Sequence, residues 1–290
     1  MAISGALNGF ALDLVRHVVE EECLGKLLYA GGDDVMAMTT TTDLLRTMGL
    51  LRAVYSGSWP DGIALIDEHK LKLHGGFVMR NKRLYQVMGK HATASTGAVI
   101  AHHQAPLAAV LRELRSAEQR AKNEGGRDAF CITIIKRSGG ALYLTEKWGA
   151  PVNLLMAMRD FLATEGVSRR AVYHTLEWLN DSELPVNTFD SGMAQSLLAY
   201  QLDRQVQANV RKMEDWITFA EDSKVVLKED DKKDRKGVVK AIAGHFADKL
   251  VKLALTWPQE KRIEKLRNFL SVAEFLARET RTESNTGGDA

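Results

Sequence analysis

Leu28-Tyr29-Ala30-Gly31-Gly32-Asp33-Asp34-Val35 is the stretch of sequence that decides the fold. It places glycines and adjacent aspartates between the short apolar runs 27–30 and 35–38. Apolar runs separated by four turn-forming residues are typical of a buried β-hairpin. The glycines permit the positive φ of a tight turn and leave room for a phosphate to approach the backbone. The sequence therefore predicts a hairpin with carboxylates at its tip.

The neighbouring carboxylates of Asp33 and Asp34 repel each other unless a cation offsets their charge. Hard carboxylate oxygens suit Mg²⁺ or Mn²⁺. In a two-metal site, such ions activate a ribose hydroxyl and stabilise a leaving pyrophosphate. A Gly-Gly-Asp-Asp string on its own is also an ordinary turn, because both residue types favour turns. The surrounding pattern has to decide between these interpretations.

Helical and strand-like segments alternate on both sides of this turn. A first amphipathic helix is indicated by the spacing of Leu7, Phe10, Leu14 and Val18. Further on, a strand at 94–101, a helix from Pro106 and a strand at 129–135 follow one another, with a loose, glycine-rich stretch at 55–89 before them. This alternation with one tight hairpin predicts an α+β fold of the ferredoxin-like type.

Strand signals fade beyond about residue 145. Helical patterns follow near 151–164, 168–179, 190–215, 237–255 and 258–279. We therefore predict a palm-like domain at 1–144, an all-α C-terminal domain at 145–281 and a disordered tail at 282–290. Tryptophans in or beside these helices are expected to pack in the core rather than stack on bases.

Bulk composition narrows the class of protein only a little. The chain has 290 residues, a formal net charge of +2 and 45% hydrophobic residues, which is the balance of a globular protein. The charge does not single out nucleic acid as a partner. Cys23 and Cys131 are far apart, so neither a disulfide framework nor a zinc site is expected. With no apolar run of about 18 residues, no segment is expected to span a membrane. The N-terminus lacks the features of a signal peptide, and together with the unpaired cysteines this favours a reducing cytoplasm.

Other segments admit a functional and a structural interpretation. Lys122, followed by glycines, could place its ammonium on a nucleotide triphosphate, or it could be a solvated lysine at a helix C-terminus. Gly97, in Ser95-Thr96-Gly97, could mark the close approach of a ligand or a bulge. His102 and His103 are expected to be structural, because neighbours on a strand point to opposite faces.

The order of these motifs resembles GGDEF-type diguanylate cyclases and, more closely, the large subunit of type III CRISPR effector complexes, in their Cmr (III-B) branch. The resemblance covers residues 3–140 and is weaker over the helical part. The phrases that carry it are Ile3-Ser4-Gly5-Ala6-Leu7-Asn8-Gly9-Phe10, the hairpin 28–35, Ala92-Thr93-Ala94-Ser95-Thr96-Gly97, Ala121-Lys122, Gly126-Arg127-Asp128-Ala129-Phe130 and Lys136-Arg137-Ser138-Gly139.

The resemblance implies a nucleotidyltransferase that converts ATP to cyclic oligoadenylates when the effector complex binds target RNA. Asp33 and Asp34 would hold Mg²⁺ or Mn²⁺, and Gly31 and Gly32 would shape the turn. Lys122 would contact phosphates. Ser95 and Arg127 would line the same nucleotide-binding pocket. The implied partners are other subunits of the ribonucleoprotein, together with guide RNA and target RNA.

The sequence also departs from this family's pattern. The family's palm has a further acidic strand before the first helix, whereas this sequence begins at that helix. We therefore expect a C-terminal portion of the subunit that needs the N-terminal part for activity. Another hypothesis is a catalytically incomplete scaffold module that docks small subunits and RNA. A free-standing cyclase is disfavoured, because Asp34-Val35 stands where that family has Glu-Phe.

Overall fold

A computed structural model describes residues 2–60, 71–137, 139–168, 170–181 and 190–286 of the chain. Side chains are described for the same residues apart from positions 2, 171, 178–181 and 281–286. The chain divides into two compact units, Met1–Asn153 and Leu154–Ala290. The predicted domain limit at 144 lies inside a strand, so the division seen in the structure follows later.

The first unit opens with a helical segment whose apolar face is buried. It comprises α1 (Ala2–Gly9), a π-helical turn (Phe10–Leu14), α2 (Val15–His17) and a second π-helical turn (Val18–Glu22). Phe10, Leu14 and Val18 are buried in one hydrophobic cluster with residues of the following elements. The helical spacing in the sequence therefore predicted this element correctly.

The next elements are a hairpin and a helix. Strand β1 (Gly25–Gly31) pairs antiparallel with β2 (Asp34–Thr39), and Gly31 lies opposite Asp34 at the closed end. Helix α3 (Leu44–Ser56) follows and packs Leu50 and Val54 against the cluster that contains Phe10. The hairpin is therefore anchored beside the first helix.

Short strands lie within the glycine-rich stretch 55–89, for which the sequence pattern predicts only loose structure. Strands β3 (Lys72–His74), β4 (Phe77–Arg80) and β5 (Arg83–Gln86) form an antiparallel sheet in that order. Val78 and Tyr85 face each other across this sheet and are buried in the first cluster. Strands this short depend on such packing, because a small isolated sheet is only marginally stable in water.

The remaining sheet of the first unit combines parallel and antiparallel pairing. Strand β6 (Thr96–Ile100) lies parallel to β7 (Ala129–Ile135), and helix α4 (Leu107–Asn123) makes the crossover between them. Strand β8 (Ala141–Lys147) pairs antiparallel with β7. The sequence did not predict β8.

The mixed α+β class is confirmed, but the ferredoxin-like arrangement remains a prediction. Among the described residues, the strands form separate sheets, β1-β2, β3-β4-β5 and β6-β7-β8. A ferredoxin-like fold would unite the hairpin and the crossover strands in one sheet.

Gly97 has a structural role that differs from both predicted ones. A Cβ atom on Gly97 would overlap the backbone nitrogen of Glu118 and lie 2.9 Å from the carbonyl carbon of Ala117. Helix α4 therefore lies against β6 at a distance that only glycine permits. It is a helix, rather than a ligand or a bulge, that requires glycine here.

The second unit is helical, as the sequence predicted. Its elements, with α5 starting just before the division, are α5 (Ala150–Ala163), α6 (Arg170–Asp181), α7 (Ser191–Arg204), α8 (Met213–Asp222), α9 (Arg235–Leu255) and α10 (Arg262–Thr286). The aromatic rings of Phe161, Phe219 and Phe246 contact one another in its core. The last helix reaches into the predicted tail, of which residues 287–290 lie outside the description.

The predicted single helix at 190–215 is interrupted. Helix α7 ends at Arg204, a short 3₁₀ turn (Ala208–Val210) follows, and α8 begins at Met213. Trp216 is fully buried and its indole N–H donates to the carbonyl oxygen of Ala208 at 3.1 Å. This hydrogen bond joins the turn to α8, which local sequence periodicity does not reveal.

The expected packing role of the tryptophans holds where their side chains are described. Trp148, Trp216 and Trp257 are buried; Trp178 is one of the positions whose side chain lies outside the description. Both cysteines are free and buried.

Candidate active site

The turn that carries the aspartates is a tight connection between β1 and β2. Because Gly31 pairs with Asp34, only Gly32 and Asp33 lie in the connection. Gly32 has φ +63°, the positive value that the first position of a type II′ hairpin turn requires. Asp33 and Asp34 both reach the surface. The turn therefore presents their carboxylates to solvent.

Gly31 provides space for an aromatic side chain next to this turn. A Cβ atom at Gly31 would collide with the hydroxyl end of Tyr29, so the tyrosine ring lies across the glycine. Tyr29 itself is 57% exposed. Gly31 therefore leaves room for a flat aromatic ring next to the turn, whereas the positive φ of the turn itself falls on Gly32.

Three other predicted site residues gather at one edge of the β6-β7-β8 sheet. The parallel register places Thr96 beside Phe130, so Ser95 lies at the amino end of β6 and Arg127 just before the amino end of β7. Amino ends of neighbouring parallel strands meet at the same edge. Lys122 lies near the end of α4, and its carbonyl oxygen accepts a 3.1 Å hydrogen bond from the amide of Arg127.

The loop 125–128 has an unusual backbone conformation. Arg127 and Asp128 have φ values of 59° and 44°, a region that non-glycine residues rarely occupy. The ammonium of Lys147 donates to the carbonyl oxygens of Gly126, at 3.0 Å, and Arg127, at 2.6 Å. Such strained conformations persist only when surrounding contacts determine them. The loop that carries Arg127 is thus held by a side chain of β8.

Ser95 is positioned by a contact of its neighbour. The indole N–H of Trp148 donates to the carbonyl oxygen of Ala94 at 2.9 Å, and the indole packs on Phe130 with ring centroids 5.2 Å apart. These contacts fix the entry into β6. Ser95 therefore lies on a fixed segment of backbone, at the same edge of the sheet as the loop 125–128.

The ammonium of Lys122 is engaged within its own helix. It lies 2.5 Å from a carboxylate oxygen of Glu118, one helical turn earlier, and both side chains are about one-third exposed. An incoming phosphate would therefore compete with Glu118 for this ammonium. The alternative of a solvated lysine near a helix end remains compatible with this geometry.

Helix α3 connects the hairpin tip with the loop 125–128. Arg52 is buried and donates to the carboxylate of Asp128 at 2.6 Å. On the same helix, burial raises the pKa of the Tyr55 phenol, and the nearby negative charge of Asp33 raises it further. Arg52 thus holds the loop 125–128, and Tyr55 of the same helix packs on the hydrophobic cluster that Ala30 and Val35 of the hairpin also contact.

Sequence reasoning missed Arg52, Tyr55 and the pairing role of Asp128. One signal was present, because Arg52 interrupts the apolar run Leu50-Leu51-Arg52-Ala53-Val54. A cation on the buried face of a helix requires a partner. Its partner lies 76 residues away, however, and the sequence does not identify it.

The aspartates suit a divalent cation only as part of a ligand set. Their carboxylates reach solvent, and Mg²⁺ is commonly held by one or two carboxylates together with water and substrate phosphates. In the described part of the chain, no group of three or more His, Cys, Asp or Glu side chains is arranged to hold a metal ion. A cation held by Asp33 and Asp34 would therefore need further ligands, such as water or phosphate oxygens.

The adjacent histidines differ from the sequence expectation in their geometry. The rings of His102 and His103 lie beside each other, with centroids 4.2 Å apart, because both residues follow the end of β6 rather than continuing it. Burial lowers the pKa of His102, and the positive charge of Arg137 lowers it further. The pair is not among the predicted site residues.

The amino-terminal part of the chain is similar in sequence to known proteins. Residues 1–131 match the family described as Cas10/Cmr2, second palm domain. The CRISPR system Cmr subunit Cmr2 of Pyrococcus furiosus is 32% identical over 180 residues, which are 61% of this chain and 18% of that protein. Residues 1–131 belong to the Cas10/Cmr2 second palm family. The hairpin, α3 and α4 all lie within the residues that match this palm-domain family.

A solved structure supports the same fold. A chain of the type III-B Cmr-beta complex, determined by cryo-EM in the apo state, is similar with a TM-score of 0.50 and 17% sequence identity. The match covers 73% of this chain and 22% of that one. The present chain thus spans about a fifth of the length of these relatives. Within its described residues, no helix is both long and apolar enough to cross a membrane.

Proposed function

We propose that this chain provides the second palm of a type III effector large subunit and takes part in converting ATP to cyclic oligoadenylates. The observation that carries the proposal is the connection through α3. Arg52 of this helix pairs with Asp128 beside Arg127, and Tyr55 of the same helix packs on the hydrophobic cluster on which Ala30 and Val35, on either side of the hairpin turn, also pack. The same helix therefore supports both the candidate metal-binding residues and the candidate phosphate-binding residues.

Each predicted site residue has a defined task in this reaction. Asp33 and Asp34 bind a divalent ion together with the ATP phosphates, and the turn at Gly32 presents them. Lys122 leaves Glu118 and binds the triphosphate, while Ser95 and Arg127 line the nucleotide site. A bound Mg²⁺ or Mn²⁺ would activate the attacking hydroxyl and stabilise the pyrophosphate that leaves.

The reaction is a nucleotidyl transfer. The 3′-oxygen of one adenosine bonds to the α-phosphorus of another ATP, and the bond from that phosphorus to the bridging oxygen of pyrophosphate breaks. The hydroxyl proton is released to solvent. Positioning of the triphosphate by charged side chains accounts for most catalysis in reactions of this kind.

The partners of this activity belong to the same proposal. The relatives are subunits of the multi-subunit Cmr complex, so we propose that this chain acts with other subunits, guide RNA and target RNA in the cytoplasm. The N-terminal part of the large subunit would contribute to the same active site. Binding of target RNA would start synthesis.

Calorimetry of the 290-residue chain with ATP and Mn²⁺ tests the nucleotide site without requiring turnover. We expect Mn²⁺-dependent binding that is lost in the Asp33→Asn/Asp34→Asn double variant and weakened by Lys122→Met. Asp230→Asn, an exposed carboxylate in the second unit, is the control and should bind ATP like the unchanged chain. Equal binding by the double variant and the control would refute the assignment.

A second measurement addresses the reaction itself. An effector complex with its complete large subunit should form cyclic adenylates from ATP when target RNA is added, and the double substitution should abolish them. If the chain binds no nucleotide but still joins the complex, it acts as the scaffold module that docks small subunits and RNA.

A further inference from the structure

The helical unit contains a cavity of about 830 Å³ that the proposed palm chemistry does not use. It lies between the end of α7, the 3₁₀ turn after it and the first turns of α9. Its charged lining consists of Asp203, Arg204, Lys236 and Lys240. All of these residues belong to the second unit, so the cavity is a site within one compact body.

The lysines of this cavity differ from those that precede them in the chain. Lys232 pairs with Glu229 at 3.5 Å, and Lys233 pairs with Asp230 at 2.6 Å. In the part of the chain that the structure describes, no carboxylate lies within ion-pair distance of the ammonium of Lys236 or Lys240. These lysines are one helical turn apart, so both charges face the same region. They are available to an external anion.

Asp203 gives the cavity a hydrogen-bond acceptor beside the cations. Burial raises the pKa of its carboxyl group, while the positive charges of Lys240 and Lys236 oppose that shift. Among the described residues, no side-chain or backbone donor contacts this carboxylate. A partly buried acceptor without a donor is costly. A ligand that supplies a hydroxyl donor would therefore stabilise it.

The amino end of α9 does not serve as the anion site. The side chain of Asp234 accepts from the amide of Gly237 at 2.7 Å, so this end of the helix already has its cap. Contacts to a ligand must come from side chains. Arg204 is suited to this, because its guanidinium is aligned by a 2.8 Å hydrogen bond to the hydroxyl of Tyr200 and keeps further N–H donors.

We propose that this cavity binds a phosphorylated ribose, either in single-stranded RNA or in a free nucleotide. Lys236, Lys240 and Arg204 contact phosphate oxygens, and Asp203 accepts a hydrogen bond from a ribose hydroxyl. The lining carries more positive than negative charge, as a phosphate ligand requires. Tyr200, 52% exposed beside Arg204, offers a face on which a base can stack.

Fluorescence anisotropy of the 290-residue chain with a labelled single-stranded RNA of about 12 nucleotides tests this site. Lys236→Gln/Lys240→Gln should weaken binding about tenfold or more. It should also reduce the slope of log affinity against log salt by about 1.4, or about 0.7 for each phosphate contact. The control is Lys249→Gln, a lysine on the same helix outside the cavity, and it should change neither quantity.

The role of Asp203 is tested by comparing RNA with DNA of the same sequence. The unchanged chain should prefer RNA, because only ribose provides the 2′-hydroxyl donor. Asp203→Ala should remove this preference while leaving most of the affinity for DNA. Circular dichroism of each variant should match that of the unchanged chain. If the double lysine variant binds RNA as tightly as Lys249→Gln does, the site assignment is wrong.

Competition distinguishes the sources of the ligand. Unlabelled ATP is added in EDTA, so that metal-dependent binding at the hairpin does not contribute. Displacement of RNA by ATP at comparable concentrations identifies a nucleotide site, and resistance to ATP identifies an RNA strand site. Asp33→Asn/Asp34→Asn should leave RNA binding unchanged, so failure of the proposed palm chemistry would not affect this result.

Discussion

Arg52 Nε lies 2.6 Å from Asp128 Oδ1 and joins helix α3 to a loop 76 residues further along the chain. The guanidinium is almost fully buried, with only 5% of the Arg52 side chain exposed, whereas 38% of the Asp128 side chain is exposed. The pair thus anchors the loop that carries Arg127 to the helix that carries Tyr55. Removing the carboxylate charge would leave a buried cation without its partner.

Asp128→Asn is expected to destabilise the first unit by about 1.5–3 kcal/mol, the range for a hydrogen bond to a charged group. Asparagine tolerates the left-handed backbone of this position, so the substitution tests the ion pair rather than backbone strain. Urea denaturation measures the loss. Asp230→Asn, whose ion pair with Lys233 is exposed, should cost at most about 1 kcal/mol. Equal losses would show that the Arg52 contact contributes little.

Gly97→Ala is expected to destabilise the first unit by about 1–3 kcal/mol. The added methyl group would overlap the backbone of α4 at Glu118, and backbone cannot move aside as a flexible side chain does. Gly244→Ala is the matched control, because a methyl group added there, in α9, would meet no other atom within 4 Å. That substitution should stabilise its helix by about 0.5–1 kcal/mol. Thermal unfolding would give opposite signs for the two variants.

Glu20→Gln is expected to lower the melting temperature at neutral pH, and the difference should shrink in acid. Hydrogen bonds from Lys26 and then Arg16, each at 2.9 Å, lower the pKa of Glu20 to about 2. A lowered folded-state pKa stabilises the fold above the unfolded value of 4.5, and this contribution is lost as pH falls from there towards 2. Melting curves over that range measure it. A difference that grew in acid would contradict the assignment.

Glu118→Gln is expected to strengthen ATP binding by up to about fivefold, if Lys122 binds the triphosphate. The substitution removes the charge that competes for the ammonium, and partly exposed ion pairs contribute about 0.2–1 kcal/mol. Calorimetry with ATP and Mn²⁺ measures the change. Glu113→Gln, on the same helix but paired with Arg120, is the control and should have no such effect. Weaker binding by Glu118→Gln would indicate that Glu118 contacts the nucleotide itself.

Elements with strong local periodicity were predictable from sequence. The first helix, strand β7 and the helices of the second unit each bury residues that form a regular or continuous apolar pattern. Strand β8 was not predictable in this way. Its Leu144, Thr145 and Glu146 are consecutive and all buried, so no alternation of apolar and polar residues marks it. The break after α7 depends likewise on a tertiary hydrogen bond from Trp216.

The sequence by itself determined the turn at Gly31-Gly32-Asp33-Asp34, because its backbone requirements and its paired carboxylates are properties of neighbouring residues. It also placed Lys122 near a helix end followed by glycines. Only the tertiary structure decided that Arg52 holds Asp128 and that Gly97 admits α4. These contacts join residues that are distant in the chain, and their energies arise from burial and close packing, which no local pattern encodes.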